Sequence, residues 1–179
     1  MFIYSSVIYN RNYDKNYDKN YDKNYDRNYK TGGHTMTAKV YSICISEKRG
    51  ELKKEIAVAN IIEGFGIEGD GHGGDWDRQV TCLNRGSVTA SNQAHQLQMG
   101  PGDFAENILI EEMDTLALQP GDQFQLGAEA VLQVSQIGKP DHPSVVTRTF
   151  GVSLLPSEGL FCKVIQGGRI QKGDVVTKL

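Results

Sequence analysis

The chain has 179 residues and a formal charge of −3. That length supports one domain with a real core, and the charge excludes a broad basic footprint for nucleic acid or a membrane surface. The total hides a split: residues 1–35 carry six Lys/Arg and four Asp, whereas residues 36–179 carry 13 Lys/Arg and 18 Asp/Glu. An acidic body of this kind can hold an anion only in a local pocket.

The opening MFIYSSVIY is apolar but short and has no basic residues before it. It makes a poor signal peptide, and no run is long enough to span a membrane. From Asn12 to Lys30 a four-residue unit repeats as NYDK or NYDR. It offers no aliphatic side chain to bury, and Asn and Asp recur in every turn, so disorder is expected over residues 1–35. A second expectation is that this segment is not translated. The codons for Gly32-Gly33 can spell a ribosome-binding sequence before Met36, and a four-residue repeat equals a twelve-nucleotide tandem repeat.

From Met36 the pattern is mainly β. AKVYSICIS alternates Val40, Ser42, Cys44 and Ser46 against Tyr41, Ile43 and Ile45, which predicts a strand. ELKKEIAVANIIE is ambiguous between strand and helix. RQVTCL, NILI and AVLQVSQIG read as strands, and GLFCKVIQGGRIQKGDVVTKL as a hairpin about Gly167-Gly168 followed by a final strand. Gly-Asp pairs in PGDQF and KGDVV precede apolar runs, as tight turns do. A short helix is expected from about Ser87 to Gln98, with Ser87 as N-cap. Short strands separated by turn signals predict a closed or nearly closed barrel with a few short helices. The cysteines Cys44, Cys82 and Cys162 form no CxxC pair. An odd, scattered set suits a reducing compartment, so a cytoplasmic location is expected.

The stretch GIEGDGHGGDWDRQV, Gly66 to Val80, concentrates glycine, acids, His72, Arg78 and the sole tryptophan. Three readings stay open on spacing alone. It can be a solvated loop whose Asp side chains cap local N–H groups. It can be a cradle in which glycines bring the backbone close to an oxyanion held by His72 and Arg78. It can be a metal site using Asp70, His72, Asp75 and Asp77.

This stretch, followed in order by GPGDFAENI, ALQPGDQFQLG, LQVSQIGKPDHP and PSEGLFCKVIQGGRIQKGD, resembles the MOSC domain family. These domains are named after the C-terminal part of molybdenum cofactor sulfurases. The resemblance runs from about Thr37 to Leu179 and is strongest to small stand-alone bacterial members. It implies a β-barrel-like fold and a link to the molybdenum cofactor (molybdopterin): sulfur transfer, cofactor handling, or molybdenum-dependent reduction of N-hydroxylated compounds. It places His72, Arg78, Glu106, Asn107 and Lys139 around a pocket, with Arg78 and Lys139 on the pterin phosphate and Glu106 and Asn107 on pterin hydrogen bonds. It also implies partners among molybdenum cofactor biosynthesis enzymes or a pyridoxal-phosphate-linked cysteine desulfurase.

One departure is chemical. Stand-alone members typically read Lys-x-Cys-His where this chain reads Lys139-Pro140-Asp141-His142. A carboxylate cannot carry a persulfide, although its oxygen can ligate high-valent molybdenum. Asp141, with His142 orienting it, is therefore the candidate catalytic or metal position. Three alternatives remain: a cytoplasmic protein that binds molybdenum cofactor or a related pterin phosphate, with turnover left open by Asp141; a non-catalytic accessory that docks onto cofactor-synthesis enzymes; and a sulfur carrier using Cys162, whose thiolate Lys163 would stabilise if exposed.

Overall fold

A computed structural model of the chain describes residues 37–179, so both expectations for residues 1–35 lie outside the described residues. Over the described residues the strands are β1 (Lys39–Ile45), β2 (Lys54–Ile56), β3 (Val58–Ile62), β4 (Gly66–Ile67), β5 (Val80–Asn84), β6 (Ile108–Glu111), β7 (Gln123–Leu126), β8 (Ala130–Ile137), β9 (Leu160–Gln166), β10 (Gly168–Gln171) and β11 (Val176–Lys178). The helices are α1 (Arg85–His95), α2 (Val145–Phe150) and α3 (Leu155–Glu158). The mainly β expectation with a few short helices holds.

Eight strands form one sheet in the order β11-β7-β8-β9-β5-β6-β1-β2, and β10-β3-β4 form a second. The large sheet does not close by a ladder. Its β1 meets the segment before β11 through a single bridge, Lys39 to Val175, supported by Val40 N–H to Asp174 O (2.8 Å) and Val176 N–H to Ala38 O (2.8 Å). The closed barrel expected from the strand spacing is thus only approached. The chain between β5 and β6 carries α1, and the β5–β6 pair is parallel, as a helical crossover requires.

Alternation decides which side of each strand is dry. In β8, Ala130, Leu132 and Val134 are buried and their neighbours are not, as a period of two demands. In β1 the expected alternation breaks. The register against β6 shifts between Val40 and Ser42, so Val40 and Ile43 enter the same core cluster while Tyr41 packs against the other. Every residue of β5 is buried because Val80 and Cys82 serve the inner cluster and Leu83 the outer one. The outer cluster, with Phe104, Leu109 and Phe161, is covered by Val88 of α1, Val146 of α2 and Leu155 of α3.

Two sequence expectations are corrected and one ambiguity is resolved. The helix begins two residues early: Asn84, not Ser87, caps it by accepting the Gly86 N–H at 2.6 Å, and Ser87 is buried within it. ELKKEIAVANIIE is two strands, β2 and β3, broken at Ala57. The hairpin about Gly167-Gly168 does not form: β9 pairs β8 and β5, whereas β10 crosses to pair β3. Gly167 sits so tightly against β3 that a Cβ would lie 2.8 Å from Ile61 O, which a strand change at that corner explains.

Candidate functional site

The glycine-rich stretch is a fixed loop, not a solvated one. Asp70 is buried and ends a polar network: its carboxylate takes the Lys53 ammonium at 2.5 Å, the Ser46 N–H at 3.0 Å and the Asn107 amide at 3.1 Å. Burial alone would raise the Asp70 pKa, but Lys53, Ser46 and Asn107 outweigh it and hold the carboxyl below its usual range. Gly71 then passes against the segment after β1, donating to Ser46 O at 2.7 Å; a Cβ there would meet Glu47 O at 2.7 Å. Further along, Trp76 Nε1 donates to His72 O at 2.8 Å, and Gln79 bridges from Gly74 O to the Val164 N–H of β9.

The loop forms one wall of a cleft of about 400 Å³. His72, Trp76 and Arg78 line that wall, and Arg49 lines it from the segment after β1. Lys139, His142 and Arg148, from the end of β8 to α2, line the cleft as well, with Phe161 of β9 and Ala105. Of the residues expected at the site, the fold therefore brings His72, Arg78, Lys139 and His142 together. Arg49, Trp76 and Arg148 were not anticipated. Arg49 and Arg148 belong to no motif, whereas Trp76 carried a signal as the sole tryptophan inside the glycine-rich stretch.

Two of the cations, Arg78 and Arg49, are held in place. Arg78 donates from Nε and Nη2 to Gln136 Oε1 at 3.2 and 3.0 Å, and its guanidinium lies 5.1 Å from the Phe161 ring centroid. Gln136 is fixed in turn by donating to Gly138 O at 2.6 Å. Arg49 donates to Gly71 O at 3.2 Å and lies 4.6 Å over the Trp76 ring. Lys139 is half-buried, and burial followed by the charge of Arg78 pulls its pKa below the ordinary lysine value, with Asp141 opposing. Two cations crowded together out of bulk water are a site that gains from an anion. Among the described lining residues the one acid is Glu51.

Other candidates lie elsewhere. Asp141 is exposed and is not among the lining residues, although its charge reaches Lys139. Asn107 is buried behind the loop, where its side chain accepts the Thr81 N–H at 3.0 Å and donates to Cys44 O and Asp70 Oδ2, both at 3.1 Å. Glu106 is fully buried; one oxygen accepts the Gly102 N–H at 2.5 Å and the other has no partner. Burial pushes its pKa up to about 7. Gly102 has φ +86°, and a Cβ there would collide with Lys53 O. The PGDFAEN segment thus packs against Lys53, and it delivers Ala105 to the cleft in a left-handed conformation, φ +63°.

The metal reading of Asp70, His72, Asp75 and Asp77 is not supported by the geometry. Asp70 is engaged by Lys53, and Asp77 pairs with Lys163 at 2.5 Å. No cluster of three or more His, Cys, Asp and Glu suited to a metal ion exists among the described residues. Cys162 is also not the exposed thiol that the sulfur-carrier reading needs. It is buried beside Cys82, and burial drives its pKa well above the ordinary thiol value. Lys163 points its charge to Asp77 instead. No helix among the described residues is long and apolar enough to cross a membrane.

No curated protein matches the sequence. Among solved structures, the chain is similar to the YuaD protein from Bacillus subtilis, with a TM-score of 0.64 at 18% identity over 79% of this chain and 94% of that one. It is similar to YiiM from Geobacillus stearothermophilus (TM-score 0.63, 18% identity, 79% and 75% covered) and to YiiM from Escherichia coli (0.57, 21%, 80% and 68%). At these identities the likeness shows a shared fold. The MOSC domain model matches residues 68–177, which is more than half of the chain and includes every wall of the cleft except the Arg49–Glu51 segment, so the chain belongs to the MOSC domain family.

Proposed function

We propose that the cleft binds the molybdenum cofactor, or a related pterin phosphate, through its phosphate group. One observation carries this reading: Arg49, Arg78, Lys139 and Arg148 converge on a cleft of about 400 Å³ in a body where acids outnumber bases. Arg78 and Lys139 would hold the phosphate, the guanidinium by paired hydrogen bonds and the ammonium as a point charge. Trp76, half-buried with Arg49 over one side of its ring, offers apolar surface beside which a planar ring would sit. Molybdenum would supply the redox or sulfur-handling chemistry when bound. No cluster of three or more His, Cys, Asp and Glu is available among the described residues, and Asp141, exposed beside Lys139, is the carboxylate that would reach toward that metal.

A second reading is favoured by Asp141 itself. An exposed carboxylate where stand-alone relatives typically carry a cysteine supports a cofactor-handling protein without turnover, which passes its ligand to a cofactor biosynthesis enzyme or receives it after a cysteine desulfurase has acted. The experiment addresses both. Protein purified from a molybdenum-replete host is expected to carry pterin and molybdenum together. Arg78→Ala should weaken retention by about 10- to 150-fold, the loss of one charge-assisted hydrogen bond worth about 1.5–3 kcal/mol. Pterin held equally by parent and Arg78→Ala, or by neither, defeats the proposal. Asp141→Ala that loses metal but keeps pterin assigns Asp141 to the metal; unchanged metal content and X-ray absorption assign it to neither.

A further inference from the structure

Behind the cleft wall lies a charged group that anion binding alone does not use. Lys53 stands just before β2 with its side chain 1% exposed, and its ammonium is anchored on Asp70 Oδ1 at 2.5 Å. The same nitrogen lies 3.2 Å from His72 Nδ1. An ammonium has donors only, so a hydrogen bond at that distance requires Nδ1 to be the acceptor. Asp70 Oδ2 is 3.9 Å from Nδ1, too far to take a proton from it, and is already engaged by the Asn107 amide and the His72 backbone N–H.

We propose that Lys53 is a positioning residue: clamped by Asp70, it donates to His72 Nδ1 and fixes the imidazole as the neutral tautomer that presents an Nε2–H to the cleft. His72 then offers the ligand a single hydrogen-bond donor without adding charge. It recognises an acceptor oxygen and leaves charge neutralisation to the arginines and Lys139. The use of that donor rests on the anion-binding reading of the cleft, but the tautomer itself does not.

The groups around the ring agree with this assignment. The charged neighbours are Lys53, Arg49 and Lys139, which disfavour an imidazolium, and Asp70, which favours it. Burial comes first and Lys53 second among the effects that lower the His72 pKa, and together they outweigh Asp70. The segment between β1 and β2 packs closely here: a Cβ at Gly102 would collide with Lys53 O, and one at Gly71 would collide with Glu47 O.

The test is nitrogen-15 NMR of the histidine rings in the full chain without ligand, with His72 assigned by the signal lost in His72→Gln. The expected result at pH 7 is an unprotonated Nδ1, a protonated Nε2 and a titration midpoint below the ordinary value of about 6.5. A protonated Nδ1, or a doubly protonated ring at pH 7, overturns the proposal. Lys53→Met should raise the midpoint by about one unit or more, because a cation within 4 Å is lost while Asp70 remains; a folded variant with the parental midpoint and tautomer overturns the role of Lys53. Should that variant not fold, the parent still decides. A slowly exchanging Lys53 ammonium signal with a cross-peak to the His72 ring is expected, and a rapidly exchanging one overturns the clamp. Purified protein that lacks pterin but shows this tautomer removes the cofactor reading alone.

Discussion

Asn107→Ala separates a binding role from a structural one at a residue that the family resemblance places at the pocket. The side chain accepts the Thr81 N–H of β5, donates to Cys44 O of β1 and donates to Asp70 Oδ2 of the glycine-rich loop, all at 3.0–3.1 Å and all in the buried interior. Its backbone adds Cys44 N–H to Asn107 O and Asn107 N–H to Thr81 O, which the substitution leaves intact. Truncation therefore removes three side-chain bonds and strands the Thr81 N–H as a buried donor. The stranded Thr81 N–H costs about 1–3 kcal/mol and each of the other two lost bonds about 1 kcal/mol, so the sum is about 3–5 kcal/mol. That is a large fraction of a marginal stability of about 5–15 kcal/mol. For a body of this size it corresponds to a fall in Tm of about 10–15 °C. Urea unfolding followed by tryptophan fluorescence of Trp76 measures it directly. A variant with parental stability but no ligand retention would refute the reasoning and make Asn107 a ligand contact.

Glu106→Gln should change the pH dependence of stability. Burial raises the folded pKa of Glu106 to about 7 from an ordinary value near 4.5, so between those values the folded state holds a proton that the unfolded state has released, and parent stability falls as pH rises through that window. The variant lacks this decline, gaining up to about 3 kcal/mol relative to the parent between pH 5 and 8; a pH-independent difference refutes the titration. The three cysteines should resist thiol reagents in the native state, because all are buried and burial pushes Cys44 up to about 12 and Cys162 well above its ordinary range. Fast native labelling of Cys162, assigned by mass spectrometry, would restore a sulfur-carrying role.

What was legible in the sequence followed from periodicity and turn chemistry. The alternation of AVLQVSQI named β8, and the Gly-Asp turns named the starts of β7 and β11. What was missed depends on contacts between distant segments. The bulge in β1 is set by its pairing with β6, and no local pattern announces it. Gly167-Gly168 looks like a hairpin turn, yet its close packing against Ile61 sends β10 to β3. Helix α2 is only six residues long, too short for a face to show, although Ser144 and Thr147 form its capping box. At the site, His72, Arg78, Lys139 and His142 were readable because they sit in motifs. Arg49 and Arg148 were not, since a lone surface arginine acquires meaning only when the fold aims it at a cavity. Lys53 was hidden for the opposite reason: in LKKE it reads as a solvated lysine, and only the buried carboxylate of Asp70, 17 residues away, reverses that.

These placements limit what chemistry the protein can own under the proposed reading. Sulfur transfer needs a thiolate that a partner can reach. Here Cys82 and Cys162 occupy adjacent strands of the inner core, Cys44 is fully buried on β1, and the surface position that the family resemblance assigns to a cysteine is a carboxylate. Opening β5 or β9 to expose a thiol would break the centre of the eight-stranded sheet, at a cost comparable with global unfolding. Under the proposed reading, any reactive sulfur therefore arrives with the ligand. What the chain supplies is a preformed cationic wall with Arg78 locked by Gln136, together with a neutral donor at His72 locked by Lys53. Such locking lowers the ordering cost of binding. Under the proposed reading it ties affinity for a phosphorylated ligand to Gln136 and Lys53 as well as to the residues that would touch that ligand.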